Sequence, residues 1–143
     1  MLIEKMTIKD YEIIKDNLQE EFDEFWSASI LKSELENKNS KYIVAKEGKK
    51  ILGFAGIIIL PDDVEITNIV TKKSERKKGI GNLLLDKIIE ISRETKKEII
   101  SLEVNEKNSI AIKLYEKFGF KKVGLRRKYY KGIENAIIMT RKI

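Results

Sequence analysis

The segment from Glu65 to Ile91 constrains the fold of this chain more than any other part of the sequence. It begins with an apolar stretch typical of a strand and continues through a basic loop that ends at Gly79 and Gly81. Beyond the loop, apolar residues recur at the spacing of one buried helix face. These apolar positions are Ile80, Leu83, Leu84, Ile88 and Ile91. The pattern predicts a strand, a glycine loop and an amphipathic helix in direct succession.

The chemistry of this loop is suited to a phosphate group. A glycine turn that leads into a helix offers unpaired backbone N–H groups and the positive end of the helix dipole. Gly79 and Gly81 allow the backbone to approach a ligand without interference from a Cβ atom, and Arg76, Lys77 and Lys78 add positive charge. Two common phosphate loops are excluded, because the P-loop string is absent and Leu84 occupies the third glycine position of a dinucleotide fingerprint. The loop nevertheless predicts a pyrophosphate site.

Composition removes several kinds of chemistry. The 143-residue chain contains no cysteine and no histidine, which excludes disulfides, thiolate nucleophiles, Ser-His or Cys-His catalysis and metal sites that use these ligands. Acid–base chemistry must therefore use Glu, Asp, Tyr, Lys or water, and we expect no metal. The length is typical of one domain. Without a long apolar run or a signal-peptide pattern, we expect a cytoplasmic protein that does not bind membranes.

Charge is distributed unevenly along the chain. Residues 10–36 carry nine acidic and two basic side chains, whereas residues 37–143 carry 25 basic and 13 acidic ones. The acidic stretch, with Glu20, Glu21, Asp23 and Glu24, could attract a cationic substrate, and the basic remainder could hold an anionic cofactor. A lysine-rich solvated surface would explain much of the same pattern.

The remaining sequence predicts alternating strands and helices without repeats. Turn residues at Gly48, Pro61, Gly119 and Gly132 separate them. The predicted strands are Leu2–Lys5, Tyr42–Glu47, Ile51–Leu60, Val64–Val70, Glu98–Val104, Lys121–Tyr130 and Glu134–Arg141, and the further helices are Thr7–Leu18, Phe25–Glu36 and Ser109–Phe118. Because helices cross between strands, we expect a three-layer α/β domain with a mixed sheet and helices on both faces.

A second informative segment covers residues 99–120. Strand alternation places Ile100, Leu102 and Val104 on one face and leaves Glu103 on the other. In the following helix, Ala111 and Tyr115 lie four residues apart on one face, beside an apolar stripe. That stripe consists of Ile110, Leu114 and Phe118. Taken singly, Glu103 is typical of a surface carboxylate, Tyr115 of a core aromatic residue and Asn108 of a helix cap.

Together these motifs resemble a known family. The loop Arg76-Lys77-Lys78-Gly79-Ile80-Gly81 resembles the Arg/Gln-x-x-Gly-x-Gly/Ala signature of the GNAT superfamily of N-acetyltransferases. The segments Leu102-Glu103-Val104, Asn108, Ala111, Leu114-Tyr115-Glu116 and Phe118-Gly119-Phe120 resemble the second half of the same fold. The likeness continues through 124–130 and 134–139 and is strongest to bacterial ribosomal-protein alanine N-acetyltransferases (RimI type). It is close over residues 64–140 and loose over 2–60.

Two departures from the RimI pattern concern peptide binding rather than chemistry. In Phe25-Trp26-Ser27, phenylalanine stands before the tryptophan where the family often has proline, and Glu134-Asn135 replaces the usual Glu-Asp. The resemblance implies a GNAT-like, mostly antiparallel sheet and a single N-acetyltransferase domain over residues 1–143. It also implies direct transfer from acetyl-CoA to the N-terminal alanine of the eighteenth small-subunit ribosomal protein.

The resemblance also implies roles for individual residues. Glu103 stands at the position of the general base, and Tyr115 at that of the general acid that protonates the coenzyme A sulfur. A backbone N–H of Ile69–Thr71 would polarise the acetyl carbonyl, and Asn108 would bind the pantetheine arm. The implied cofactor-binding residues are Ile69, Val70, Thr71, Arg76, Lys77, Lys78, Gly79, Ile80, Gly81, Asn82 and Asn108.

Two alternative functions stay open at this point. A GNAT enzyme that acetylates a polyamine or another small amine would use the same acidic stretch. A basic RNA-binding module would use Lys72, Lys73, Lys77, Lys78 and the cationic, tyrosine-containing strand 121–131, although no RNA-binding signature is present and we expect no direct nucleic-acid contact. We expect acetyl-CoA and a protein N-terminus as partners, and a monomer or a weak dimer.

Overall fold

The fold is organised around one seven-stranded sheet. A computed structural model describes residues 1–23, 27–130 and 132–143, with 128–130 described by their backbone alone. Glu24, Phe25 and Trp26, part of the predicted acidic stretch and second helix, and the side chains of Tyr129 and Tyr130 lie outside the described residues. The strands are β1 (Leu2–Lys5), β2 (Ser40–Glu47), β3 (Lys50–Ile59), β4 (Val64–Thr71), β5 (Ile99–Asn105), β6 (Lys121–Tyr130) and β7 (Glu134–Lys142). The helices are α1 (Ile8–Ile14), α2 (Leu18–Glu21), α3 (Ala28–Glu36), α4 (Ile80–Glu94) and α5 (Ser109–Lys117).

The sheet is mixed and mostly antiparallel, which confirms the expected fold class. Its strand order is β1-β2-β3-β4-β5-β7-β6. Every neighbouring pair is antiparallel except β4 and β5. The parallel pair requires a crossover connection, and α4 supplies it. Strand β5, which follows the glycine loop and α4, therefore pairs with β4 inside the sheet.

Helices cover both faces of the sheet. Along β2, Ile43 and Ala45 belong to the buried cluster that contains α4, whereas Tyr42 and Val44 belong to the cluster that contains α1, α2 and α3. This alternation follows from the two-residue period of a strand. We call the two sides the α4 face and the α1–α3 face. Residues of α5, including Leu114 and Tyr115, pack against the α4 cluster.

Helix α4 has the amphipathic character that its sequence predicts, but its buried stripe is shifted. Ile80, Leu84 and Ile88 are buried as expected, whereas Leu83 is 45% exposed and was wrongly assigned to the stripe. The stripe is completed instead by Leu85, Ile89 and Ser92. At 100° per residue these positions lie together, and Leu83 falls on the opposite side of the helix.

Two helix boundaries and the exposure of one residue also differ from the sequence predictions. The first helix was predicted to reach Leu18 but ends at Ile14, and α2 begins only at Leu18. Asn17 lies between them, and its backbone N–H donates to the Ile14 carbonyl at 2.9 Å, which is the i→i−3 bond of a tightened last helical turn. The N-cap of α3 is Ser27, whose Oγ accepts from the Ile30 N–H. Ile110, predicted in the α5 stripe, is 81% exposed in the first turn of that helix.

Candidate active site

Strands β4 and β5 separate soon after they meet. Only Val64 and Glu65 of β4 have registered partners in β5, at Ile100 and Ser101, although β4 continues to Thr71 and β5 to Asn105. Beyond this point the backbone of β4 that faces β5 lies along an opening in the sheet. Residues 69–71, of which one backbone N–H is predicted to polarise the acetyl carbonyl, border this opening.

The backbone groups of residues 69–71 differ in availability. Lys72 donates its N–H to the Leu52 carbonyl of β3 at 2.8 Å, and because N–H directions alternate along a strand, Val70 also faces β3. The Thr71 N–H faces the opposite way and donates to Asp23 Oδ2 at 3.3 Å, while the Thr71 carbonyl accepts from the Asp23 N–H at 3.0 Å. Ile69 has the orientation of Thr71, so its N–H points into the opening.

A group of carboxylates lies at the same opening on the α1–α3 face. Ile100, Leu102 and Val104 are buried in the α4 cluster, so Glu103 projects from the opposite face, as strand alternation predicts. Arg126 of β6 forms an ion pair with Glu103, with 2.8 Å between Nη2 and Oε1. The Ser101 hydroxyl donates to Asp63 Oδ2 at 3.1 Å.

Glu65, like Glu103, is a half-buried carboxylate of this group. Burial, together with the nearby charges of Glu103 and Asp63, raises its pKa above the ordinary value, and Arg126 partly opposes this effect. Sequence patterns missed Glu65, Asp63 and Arg126 as site residues. Glu65 and Glu103 occupy equivalent faces of adjacent strands, but only the register between β4 and β5 shows that they meet.

The basic loop has the geometry expected for an anion site. Gly79 caps α4 with φ +81°, a left-handed conformation that favours glycine, and a Cβ atom added at Gly79 would meet nothing within 4 Å. The first N–H groups of α4, at Ile80, Gly81 and Asn82, precede the first intrahelical bond, from Leu83 N to Gly79 O at 3.1 Å. The loop therefore has both donors and space for a phosphate.

Two of the three loop cations are engaged by acidic residues. The Arg76 side chain contacts Asp23, with 2.7 Å between Nε and Oδ1, and Lys78 lies 3.4 Å from Glu75. Lys77 forms no ion pair with any residue that the structure describes. Asp23 thus holds both Arg76 and the Thr71 N–H, so an anionic ligand that uses these two groups must displace it.

The α5 residues lie beside the start of α4. A Cβ atom on Gly81 would be 3.6 Å from Leu114 Cδ2, and Lys117 Nζ donates to Asn82 Oδ1 at 3.1 Å. Asn108 caps α5, since its Oδ1 accepts from the Ala111 N–H at 3.1 Å, which leaves its amide N–H₂ for another partner. Tyr115 is half-buried, with its ring 5.8 Å from that of Phe120.

Comparison with known proteins identifies the family of this chain. The model of the acetyltransferase (GNAT) family matches residues 11–120 of the chain. The chain belongs to the GNAT acetyltransferase family. It is therefore an N-acetyltransferase.

Individual relatives carry names that are more specific than the family name. The GNAT chain is 36% identical to the "[Ribosomal protein bS18]-alanine N-acetyltransferase" of Haemophilus influenzae, over 80% of each protein. It is 33% identical to the "N-alpha-acetyltransferase RimI" of Mycobacterium tuberculosis, over 76% of this chain and 70% of that protein. The crystal structure of the ribosomal-protein-S18-alanine N-acetyltransferase from Escherichia coli superposes with a TM-score of 0.89 and 27% identity, covering 99% of this chain and 93% of that one.

Two negative findings complete the description of this GNAT domain. Among the described residues, no group of three or more acidic side chains is arranged to hold a metal ion. Within the same part of the chain, no helix has the length and hydropathy needed to cross a bilayer.

Proposed function

We propose that this chain is an acetyl-CoA-dependent protein Nα-acetyltransferase that acetylates the N-terminal alanine of ribosomal protein bS18. The observation that carries the proposal is the 31–36% identity, over most of the chain, to relatives named for that reaction. The site supports it, because the anion-binding loop and the carboxylates lie on opposite sides of one opening. The cytoplasm, where ribosomal proteins are made, remains the predicted location, and acetyl-CoA and the ribosomal protein are the proposed partners.

The residues at the loop fit acetyl-CoA. The uncovered space at Gly79, the free N–H groups at the start of α4 and the cation Lys77 are suited to a pyrophosphate. Asn108 would donate its amide N–H₂ to the pantetheine arm, whereas Val70 and Ile80, whose side chains are buried, would contribute only backbone atoms. When bound, acetyl-CoA supplies an acetyl thioester to the opening.

The chemistry follows from the groups around the opening. Glu103 would accept a proton from the acceptor ammonium, directly or through water, so that the amine lone pair becomes available. The Ile69 N–H would donate to the carbonyl oxygen as the new N–C bond forms. As the C–S bond breaks, the Tyr115 hydroxyl would give its proton to sulfur. The reaction needs no acetyl-enzyme intermediate.

An α-amino group suits a carboxylate base better than a lysine side chain does. The pKa of an α-amino group is about 7.7–8.0, against about 10.4 for lysine. The α-amino group therefore loses its proton at a pH about two to three units lower than a lysine side chain does. This difference favours an N-terminal acceptor over internal lysines.

A polyamine remains the second candidate because of the carboxylates at the opening. Glu65, Glu103 and Asp63 interact through their charges, and such a group would also attract a small polycation. RNA binding has no comparable support, since family membership accounts for the basic loop.

The test compares acceptors under identical conditions. Thiol release from acetyl-CoA is measured with a peptide of the bS18 N-terminus, with the same peptide blocked at its α-amine, and with spermidine. We expect kcat/KM for the free peptide to exceed that for spermidine at least tenfold, with no transfer to the blocked peptide. Faster transfer to spermidine would reject the peptide acceptor and favour the polyamine.

A further inference from the structure

A cluster of polar side chains on the α1–α3 face has no role in the mechanism above. It is centred on Tyr42 of β2, which is 4% exposed. The Tyr42 ring lies against the backbone of Gly56 in β3, where an added Cβ atom would be 2.2 Å from Tyr42 Cζ. Because Gly56 has no side chain, the ring crosses β3 and its hydroxyl reaches β4.

The tyrosine hydroxyl meets β4 at an irregularity in the strand pairing. Ile57 pairs with Ile66 and Gly56 pairs with Asn68, so Thr67 has no opposite residue in β3. Such a bulge redirects neighbouring side chains. Both Thr67 and Asn68 then contact Tyr42, with 3.0 Å between the two hydroxyl oxygens and 2.6 Å between Asn68 Nδ2 and the Tyr42 hydroxyl.

The hydrogen-bond directions in this group are determined by a carboxylate. Tyr42 lies 2.5 Å from Glu34 Oε2 of α3. An ionised carboxylate only accepts, so Tyr42 gives its single proton to Glu34. The tyrosine oxygen must then accept from Asn68 Nδ2, and the second amide hydrogen is directed to Thr67 Oγ1 at 3.4 Å. The Asn68 carboxamide is thereby held in one orientation.

This orientation leaves one acceptor without a donor. Asn68 Oδ1 is buried and has no hydrogen-bond partner among the residues that the structure describes. A buried carbonyl oxygen without a donor is unfavourable. The network around it is otherwise satisfied, so a ligand N–H that reaches Oδ1 after a covering side chain moves would satisfy the one unmet acceptor.

The position of Asn68 indicates which ligand this is. Asn68 lies beyond Glu65, the last β4 residue paired with β5, and immediately before Ile69, whose N–H points into the opening. Its contact with Tyr42 places it on the α1–α3 face, which also carries Glu103 and Glu65. The glycine loop and α4 lie on the other face, from which the cofactor would enter.

We infer that Asn68 binds the acceptor amine, with Oδ1 accepting one of its N–H groups, and that Glu34, Tyr42 and Thr67 are positioning residues that hold the carboxamide. The inference rests on the proposed function only in that the acceptor is an amine. It applies equally to a peptide N-terminus and to a small amine. Glu103 would then take one proton while Asn68 retains another N–H, which orients the nitrogen lone pair.

The main test measures binding rather than turnover. In the presence of saturating coenzyme A, the Kd of the bS18 peptide is measured by titration calorimetry for the wild type and Asn68→Ala. We expect the peptide Kd to rise at least tenfold and the Kd of coenzyme A alone to change less than twofold. If the wild type binds spermidine but not the peptide, the peptide assignment fails, and spermidine becomes the ligand for the same comparison.

Two further variants separate positioning from folding. Glu34→Gln keeps the shape of α3 but can donate to Tyr42, which removes the constraint on the amide orientation, so we expect a several-fold rise in amine Kd with an unchanged Tm. Ser40→Ala is the matched control, because Ser40 Oγ is the other buried side-chain atom without a partner in the described part of the chain. It should leave both Kd values unchanged.

The results that would overturn the inference are specific. Amine Kd within twofold of the wild type in folded Asn68→Ala would show that Oδ1 does not bind the amine. Equal weakening of amine and coenzyme A would assign Asn68 to the shape of β4 instead. If Asn68→Ala does not fold, unchanged amine binding in Glu34→Gln would reject the positioning network.

Discussion

At the scale of single residues, Glu103, the proposed base, lies beside a permanent cation. The Arg126 guanidinium lies 2.8 Å from its carboxylate, and the Glu103 side chain is only 20% exposed. The ion pair fixes the direction in which one oxygen points and leaves the other for the acceptor or a water molecule. Arg126 is therefore expected to orient the base, a role that the sequence pattern around it did not indicate.

Replacement of Glu103 by Gln tests this role. The variant keeps the shape of the side chain but cannot take a proton, and general base catalysis typically contributes about 10²–10⁴-fold. We expect kcat near neutral pH to fall by that order, with part of the loss recovered at high pH, where the amine is already neutral. Steady-state kinetics across a pH series would measure this, and a loss independent of pH would contradict proton abstraction by Glu103.

Tyr115 allows a separate test of the proposed acid. Its ring packs against Phe120, so Tyr115→Phe preserves that contact and removes only the hydroxyl. We expect a lower kcat with the KM for acetyl-CoA changed less than twofold. Because a thiol is a good leaving group with a pKa near 8.5, the defect should be smaller than that of Glu103→Gln near neutral pH. Wild-type turnover would assign Tyr115 to packing.

The raised pKa of Glu65 predicts that the stability of the folded protein depends on pH. Its pKa is raised above 4.5 by burial and by Glu103 and Asp63, so the folded state binds this proton more tightly than the unfolded state does. That contribution is present below pH 4.5 and is lost as the pH rises through the folded pKa. Glu65→Gln should therefore raise Tm at pH 7, on the order of a few degrees, and the gain should vanish below pH 4.5.

An exposed carboxyl provides the control for this measurement. Glu47 lies at the exposed end of β2, and Glu47→Gln should change Tm less than Glu65→Gln does at pH 7. Thermal unfolding of both variants at several pH values gives the comparison. A lower Tm for Glu65→Gln at pH 7 would show that its charge stabilises the fold.

At the scale of elements, the strand, glycine loop and helix succession was predictable because its signals are local. Gly79 in a left-handed cap and the apolar period of α4 are both properties of a short segment. The exposure of Leu83 and Ile110 was not predictable in this way, since period alone does not give the phase of a helix against its neighbours. The early end of α1 is marked by a backbone bond from the Asn17 N–H to the Ile14 carbonyl, and no local sequence signal predicted it.

The glycine loop makes a prediction that separates ligand binding from helix packing. A Cβ at Gly81 would meet Leu114 at an ordinary 3.6 Å, and alanine is a better helix former than glycine, so Gly81→Ala should be tolerated. Gly81→Val adds a branch that would take the space of phosphate oxygens. We expect Gly81→Val to raise the KM for acetyl-CoA well above its effect on the peptide KM.

The two variants must be compared with stability measured in parallel. Steady-state kinetics gives both KM values, and thermal unfolding shows whether the helix is retained. If Gly81→Val raised both KM values equally, or if its loss followed only a lower Tm, the glycine would serve packing between α4 and α5 and not the anion site.

At the scale of the whole molecule, several carboxylates of the acidic stretch form contacts within the protein. Asp23 contacts Arg76, Asp10 contacts Lys46 at 2.5 Å and Glu34 contacts Tyr42. The carboxylates at the opening come instead from the basic part of the chain, at Asp63, Glu65 and Glu103. The sheet order β5-β7-β6 brings Arg126 to them, and this long-range pairing could not be inferred from local patterns.

The central claim is that the acetyl group is transferred to an N-terminal α-amine. The most direct measurement is mass spectrometry of unacetylated ribosomal protein bS18 after incubation with acetyl-CoA and the wild-type enzyme or Glu103→Gln. The account predicts a single acetyl group on the α-nitrogen of the N-terminal alanine with the wild type, and little or none in the same time with the variant. Acetyl groups on lysine side chains instead, or an unmodified protein under conditions in which spermidine is acetylated, would contradict it.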